Sequence, residues 1–147
     1  MVRQAHANRW GKGHMAIEQT IDIDAPREKV WTVITDVERW PEWTASVTSM
    51  ALLDKAPFDV GSQVRLRQPH LPVAVWTVTA FEPGYYFAWQ TGVPGVRTVA
   101  GYRVEATESN GAHVTLSLSW SGPLAPLIGL LYGKRSRRYV ERWRPRA

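Results

Sequence analysis

His113–Trp143 reads HVTLSLSW, then SGP, then LAPLIGLLYGKRSRRYVERW, and within it the hydrophobic period changes from two residues to nearly four. Val114, Leu116, Leu118 and Trp120 alternate with His113, Thr115, Ser117 and Ser119, the pattern of a strand buried on one face. Ser121-Gly122-Pro123 breaks it. At about 100° per residue, Leu124, Ile128, Leu131, Tyr132, Tyr139 and Trp143 then share one side, which predicts a helix from Leu124 to near Trp143. Arg135 falls on that side too. Either its stem lies along apolar surface with the charge in water, the reading preferred here, or it partners an acidic ligand head group.

Upstream of this switch the chain is strand after strand. Val47–Leu53, Gln63–Gln68, Val73–Phe81, Tyr85–Thr91 and Val96–Ala106 precede His113–Trp120. They are separated by turn chemistry: Pro69 with Pro72, Glu82-Pro83-Gly84, Val93-Pro94-Gly95 and Ser109-Asn110-Gly111. Ahead of them, Ala16–Asp24 alternates Ile17, Gln19, Ile21 and Ile23 with Glu18, Thr20, Asp22 and Asp24, a first half-buried strand. Pro26 suits the start of a helix running to about Thr35, with Val30, Trp31, Val33 and Ile34 as its apolar residues. A second short helix or turn follows, with Asp36 as its N-cap and Pro41 stopping it early; Trp40 and Trp43 share one side.

Consecutive strands with short turns make an antiparallel meander, and its buried face needs a cover. The C-terminal helix is the one element long enough. The expected fold is α+β, a helix-grip arrangement: a curved antiparallel sheet of about seven strands around a long C-terminal helix, with two short helices after the first strand. Residues 1–14 show no periodicity and read as a flexible arm; 15–147 reads as a single domain.

Several stretches resemble the START/Bet v 1-like superfamily, in its polyketide cyclase/dehydrase and lipid-transport branch. They are Ile23-Asp24-Ala25-Pro26 with Val30-Trp31, the run from Asp36 to Trp43, Phe58-Asp59-Val60-Gly61-Ser62, Trp76-Thr77-Val78, and Ser121-Gly122-Pro123-Leu124. The resemblance covers about 16–142. It implies a fold whose members range from hydrolases and cyclases to carriers without chemistry.

Alternation assigns the inward face: Val64, Leu66 and Gln68; Trp76, Val78 and Ala80; Phe87, Trp89 and Thr91; Thr98, Ala100, Tyr102 and Val104; and the four residues from Val114 to Trp120. The opposite set is rich in Arg, Thr, Ser and Glu. Four inward residues are polar, namely Gln68, Thr91, Thr98 and Tyr102, and buried polar groups need partners. They can satisfy one another or meet the polar end of a ligand. Trp43, Trp76, Trp89 and Trp120, among eight tryptophans in the chain, exceed the aromatic volume that a core of this size needs. With Leu66 and Tyr132 they complete the candidate ligand-binding set.

Catalytic groups are scarce. His6, His14, His70 and His113 lack metal-ligand spacing, so neither a metal nor a cofactor is expected. His70, in the Pro69–Pro72 turn, is a candidate acid or base at the mouth of a cavity. No nucleophile elbow or phosphate-cradling glycine loop is present, and no inward carboxylate stands out. Without cysteine there is no disulfide framework or thiolate chemistry. If a cyclisation or dehydration occurs, Tyr102 and Gln68 hold a carbonyl and pocket shape orients the substrate.

At 147 residues and 44% hydrophobic, the chain can bury a sizeable core. The net charge of +5 is concentrated at the ends; between residues 15 and 133, 12 acidic side chains outnumber 8 basic ones. A nucleic-acid partner is not expected, since the body lacks a basic stripe with exposed aromatics. The longest apolar candidate, Leu124 to Tyr132, is far short of the roughly 20 residues that span a bilayer, and no secretory signal core is visible, so the expected location is cytoplasmic. A homodimer is left open. The leading expectation is a protein that binds a small hydrophobic or aromatic molecule, lipid or polyketide-like, between sheet and helix. The alternatives are a cyclase or dehydratase using the same cavity, and an interaction module using the basic C-terminal segment.

Overall fold

The computed structural model describes residues 6–9 and 14–146, with side chains for 16–127, 134 and 136–146. Its strands are β1 (His6–Arg9), β2 (His14–Ile23), β3 (Ser49–Leu52), β4 (Gln63–Arg67), β5 (Ala74–Glu82), β6 (Tyr86–Val93), β7 (Val96–Ala106) and β8 (Ala112–Ser121). Helix α1 (Arg27–Thr35) and a 3-10 segment (Val37–Glu42) follow β2, and α2 (Ala125–Arg142) follows β8. The strands form one antiparallel sheet in the order β1-β2-β8-β7-β6-β5-β4-β3. From β3 to β8, neighbours in space are neighbours in sequence. The long-range pairing is β2 along β8, with Ile17 opposite Leu118 and Ile21 opposite Val114.

Two expectations change at the N-terminus. Residues 6–9, expected in a flexible arm, form β1, with Ala7 opposite Ile17, and β2 begins at His14. This raises the strand count from about seven to eight. An edge strand can be held by backbone pairing to one neighbour, without the alternation by which a half-buried strand is read from sequence. Asp36, expected to cap the 3-10 segment with its side chain, makes no such bond; its carbonyl accepts from the Arg39 N–H at 3.1 Å.

A third change lies inside β5. Strict alternation points Trp76, Val78 and Ala80 the same way. Val78 does stand opposite Trp89, but Ala80 stands opposite Ala88 and Phe81 opposite Phe87, so the register slips by one residue between Val78 and Ala80. Such a bulge reverses the parity of all that follows. Phe81 therefore turns inward, its ring 5.9 Å from that of Phe58 and 5.7 Å from that of Trp31, and Ala80 does not.

One face of the sheet carries the core. Val30 and Ile34 of α1 are completely buried, together with Val64, Phe87, Val104 and Val114. Helix α2 lies against β2, β8 and β7. Its start is fixed by a close contact between two glycines. Gly95 (φ +94°) turns β6 into β7, and its carbonyl accepts from Leu124 N–H at 2.9 Å. A Cβ on Gly122 would stand 2.5 Å from that same carbonyl oxygen, and one on Gly95 would stand 2.7 Å from Leu124 Cδ1. The break between sheet and helix thus rests directly on the β6–β7 turn.

Candidate functional site

Between the inward face of β4–β8 and the last turns of α2 lies a cavity of about 410 Å3. That is within the usual range of ligand pockets, about 300–1,000 Å3. Leu66 and Gln68 of the β4 region, Trp76 of β5, and Trp89 and Thr91 of β6 line it. So do Thr98 and Tyr102 of β7 and Trp120 of β8. Alternation is what brings them together: each is an inward position of its strand. Leu71, Pro72 and Val73, between β4 and β5, and Val93, before Gly95, also line it. Val73 and Val93 are exposed, which locates the mouth between these two loops.

Two of the expected site residues stand elsewhere. Trp43 is half-buried and outside the lining; its ring packs on those of Trp40 and Trp143, each 5.6 Å away, so it backs the wall rather than forming it. His70 is exposed, with φ +62°, and does not line the cavity. The Tyr132 side chain lies outside the described residues, as does that of Arg135. Among the described residues, no cluster of His, Asp or Glu could hold a metal ion.

Other lining residues were not in that set. Trp40 is buried, donates its indole N–H to the Ile34 carbonyl at 2.9 Å, and stands at the centre of a ring cluster with Trp89, Tyr102 and Trp143 at 5.4–5.5 Å. Trp143, on the apolar face of the C-terminal helix, is 3% exposed and lines the cavity. Its spacing of four from Tyr139 on the helix face was the available signal. Gln19 is also inward and buried, and its Oε1 has no partner among the described residues.

The end of α2 is fastened to the chain that follows the 3-10 segment. Ser46 Oγ donates to the Tyr139 carbonyl at 2.6 Å and Thr44 Oγ1 to the Arg142 carbonyl at 3.3 Å, which satisfies helix-end acceptors that lack intrahelical donors. The Tyr139 hydroxyl donates to the Pro69 carbonyl, and Gln68 Nε2 to the Ser46 carbonyl at 3.2 Å. Gln68 is therefore a structural tie as well as a lining residue.

In the cavity wall, Trp89 donates its indole N–H to the Tyr102 hydroxyl at 3.2 Å. Burial pushes the Tyr102 phenol well above its usual pKa, a shift slightly opposed by the Trp89 N–H. It stays a neutral hydrogen-bond group and cannot serve as a base near neutral pH. The indole N–H groups of Trp76 and Trp143 are buried without a hydrogen-bond partner among the described residues. A buried donor left unmade costs about 1–3 kcal/mol. A larger depression of about 650 Å3 lies on the other face of the sheet, over Val75, Thr77, Gln90 and Arg97. It is a broad open depression, whereas the inner cavity is lined by rings and opens between two loops.

Residues 14–143 match the family described as polyketide cyclase/dehydrase and lipid transport. The chain belongs to that family. Solved structures place the family member in the START/Bet v 1 fold. A START superfamily protein of Mycobacterium smegmatis is 15% identical with a TM-score of 0.66, over 84% of this chain and 90% of its own. A major latex-like protein of Panax ginseng is 14% identical with a TM-score of 0.65, over 89% and 99%. The Zhui aromatase/cyclase of a Streptomyces species is 20% identical with a TM-score of 0.61, over 88% and 84%. At these identities the likeness is one of fold. No curated protein matches the chain. Among the described residues no helix is long and apolar enough to cross a membrane.

Proposed function

We propose that this protein binds a small hydrophobic or aromatic molecule in the cavity between its sheet and α2, as a carrier or sequestering protein. The observation that carries the reading is a space of about 410 Å3 walled by Trp76, Trp89, Tyr102, Trp120 and Trp143 and opening between two loops. An apolar molecule entering it leaves water, worth roughly 25 cal/mol per Å2 of apolar surface removed.

A second reading is a cyclase or dehydratase on the same cavity. It is favoured by the family's description and by the likeness to an aromatase/cyclase. Tyr102 can donate to a substrate carbonyl, and the rings can hold a chain folded for reaction. Against it, the described lining offers no carboxylate or histidine to move a proton.

Mass spectrometry under native and then denaturing conditions tests the first reading. A discrete small molecule bound in the native spectrum and released on denaturation is the expected result. An unliganded protein whose tryptophan fluorescence is unmoved by a panel of apolar and aromatic compounds would refute it. The second reading predicts, in addition, that the released molecule differs from the one supplied.

A further inference from the structure

The two ends of the sheet differ in charge. Where β5 turns into β6, β7 into β8, and β2 leads into α1 lie Asp22, Asp24, Glu28, Glu82, Glu105 and Glu108, against Arg27, Lys29 and Arg103. The mouth of the cavity is at the opposite end, where Val93 pairs with Val96 across the β6–β7 turn. Its two lips and the helix between them are built from residues 60–81, 83–104 and 109–140, which contain no acidic residue. Helix α2 starts against the Gly95 carbonyl on one lip, and the Tyr139 hydroxyl donates to the Pro69 carbonyl on the other, so α2 forms a third side of the opening. Arg67, Arg97, Lys134, Arg137 and Arg138 stand on these segments. All five are exposed, and none is ion-paired with a described residue. Between these cations the rim is apolar: Val73 on one lip, Val93 on the other, and Leu124 and Leu127 at the root of α2 are 45–66% exposed. Single exposed valines or leucines are ordinary. Four of them on three elements around one opening, flanked by unpaired cations, make a surface with a definite complement.

We propose that this end of the molecule docks on an anionic lipid bilayer, with Val73, Val93, Leu124 and Leu127 entering the interface and the five cations meeting the headgroups. Nucleic acid supplies the charge but nothing for the four apolar side chains. A folded acidic protein would need a surface cut to side chains that project from three separate elements around a hole. A bilayer interface deforms and accepts each of them singly, and it joins apolar burial to attraction for cations. The acidic end sets the orientation: a negative surface repels it and attracts the mouth, so the molecule arrives with its opening toward the lipid. Docking of this kind requires no molecule in the cavity.

Co-sedimentation of the full chain with vesicles of phosphatidylcholine alone, and of phosphatidylcholine with about 30% phosphatidylserine, tests this at low and at about 0.5 M salt. Anionic vesicles should bind the chain at least about tenfold tighter than neutral ones, and high salt should abolish the difference. Arg137→Ser combined with Arg138→Ser should weaken binding to anionic vesicles about 25-fold, at about fivefold per cation, whereas Lys29→Ser at the acidic end should change it less than about twofold. Val93→Ser should weaken it about threefold and leave its salt dependence as it was. All four positions are exposed, and circular dichroism checks that the variants are folded. Equal binding to both kinds of vesicle, or a loss in Lys29→Ser as large as in the arginine pair, overturns the docking face. Unchanged binding in Val93→Ser overturns insertion of the rim. A chain that passes over both vesicles but captures duplex DNA or polyglutamate assigns the cations to another partner and overturns the bilayer, as does binding to none of them. No ligand is added, so each of these failures leaves the cavity reading standing, and native mass spectrometry decides that reading separately.

Discussion

The two ends of the buried face are built from different residues. At the α1 end, Val30, Ile34, Val104 and Val114 are completely buried, and the Phe58 and Phe81 rings pack into the gap between Trp31 and Phe87. These side chains carry no polar atoms except the Trp31 indole. At the other end, Trp76, Trp89, Tyr102 and Trp143 surround open space and bring an N–H or O–H each. One sheet thus serves as a packed core at one end and as a container at the other. Aliphatic residues interdigitate and fill; large rigid rings meeting edge to face leave gaps that no small side chain occupies.

Substitution at the packed end should have the largest effect. Ile34→Ala is expected to cost about 2–5 kcal/mol of stability, since a fully buried aliphatic leaves a cavity behind it. Chemical denaturation measures it, and apolar-ligand affinity should be unchanged in the folded fraction. Trp76→Ala removes a larger side chain, yet it should cost less than Ile34→Ala, below about 3 kcal/mol, because space already adjoins it. Its signature should be weaker binding of apolar ligands instead. If Trp76→Ala proves the more damaging, the two ends are alike and the comparison fails.

A smaller loss, about 1 kcal/mol, is expected for Ser46→Ala, which removes the donor to the Tyr139 carbonyl at the end of α2. Denaturation at neutral pH measures this, and the mouth-lining loop beside Pro69 should exchange its amide hydrogens faster. The smallest effect is confined to alkaline pH. Tyr102 is held protonated by burial in the folded state, while an unfolded tyrosine ionises near pH 10. Above that pH the folded protein holds a proton that the unfolded chain has lost, so stability falls as pH rises. Tyr102→Phe should remove this contribution: its stability relative to the unaltered protein should be constant from pH 6 to about 9 and improve above about 10. A difference between the two proteins that does not change across that range would contradict the burial of the phenol.

Much of this was legible in the sequence. The switch from period two to period 3.6 at Ser121-Gly122-Pro123 marks a real boundary, with β8 ending at Ser121 and α2 beginning at Ala125. Leu66, Trp76, Trp89 and Tyr102 face the same space because alternation holds along β4, β6, β7 and the first half of β5. What alternation cannot show is a slip in itself. Ala80 and Phe81 are both apolar, so either could face inward, and the bulge decides. The edge strand β1 has no buried stripe to announce it. Trp40 was legible as a partner of Trp43 but not as the ring that reaches the cavity, because the turn of the 3-10 segment, rather than local spacing, sets which of the two points in.

The contact between Gly95 and Gly122 has a consequence for how this scaffold can be altered. Both have positive φ, and each would bring a Cβ within 3 Å of the other's neighbourhood. The β6–β7 turn and the root of α2 are therefore a single mechanical joint made of backbone. Loops grafted at Val93–Val96 to reshape the cavity mouth would also move the helix through backbone, whereas the opposite lip, between Gln68 and Val73, meets α2 through a side chain, the Tyr139 hydroxyl on the Pro69 carbonyl. The two lips of one opening differ in their tolerance of redesign.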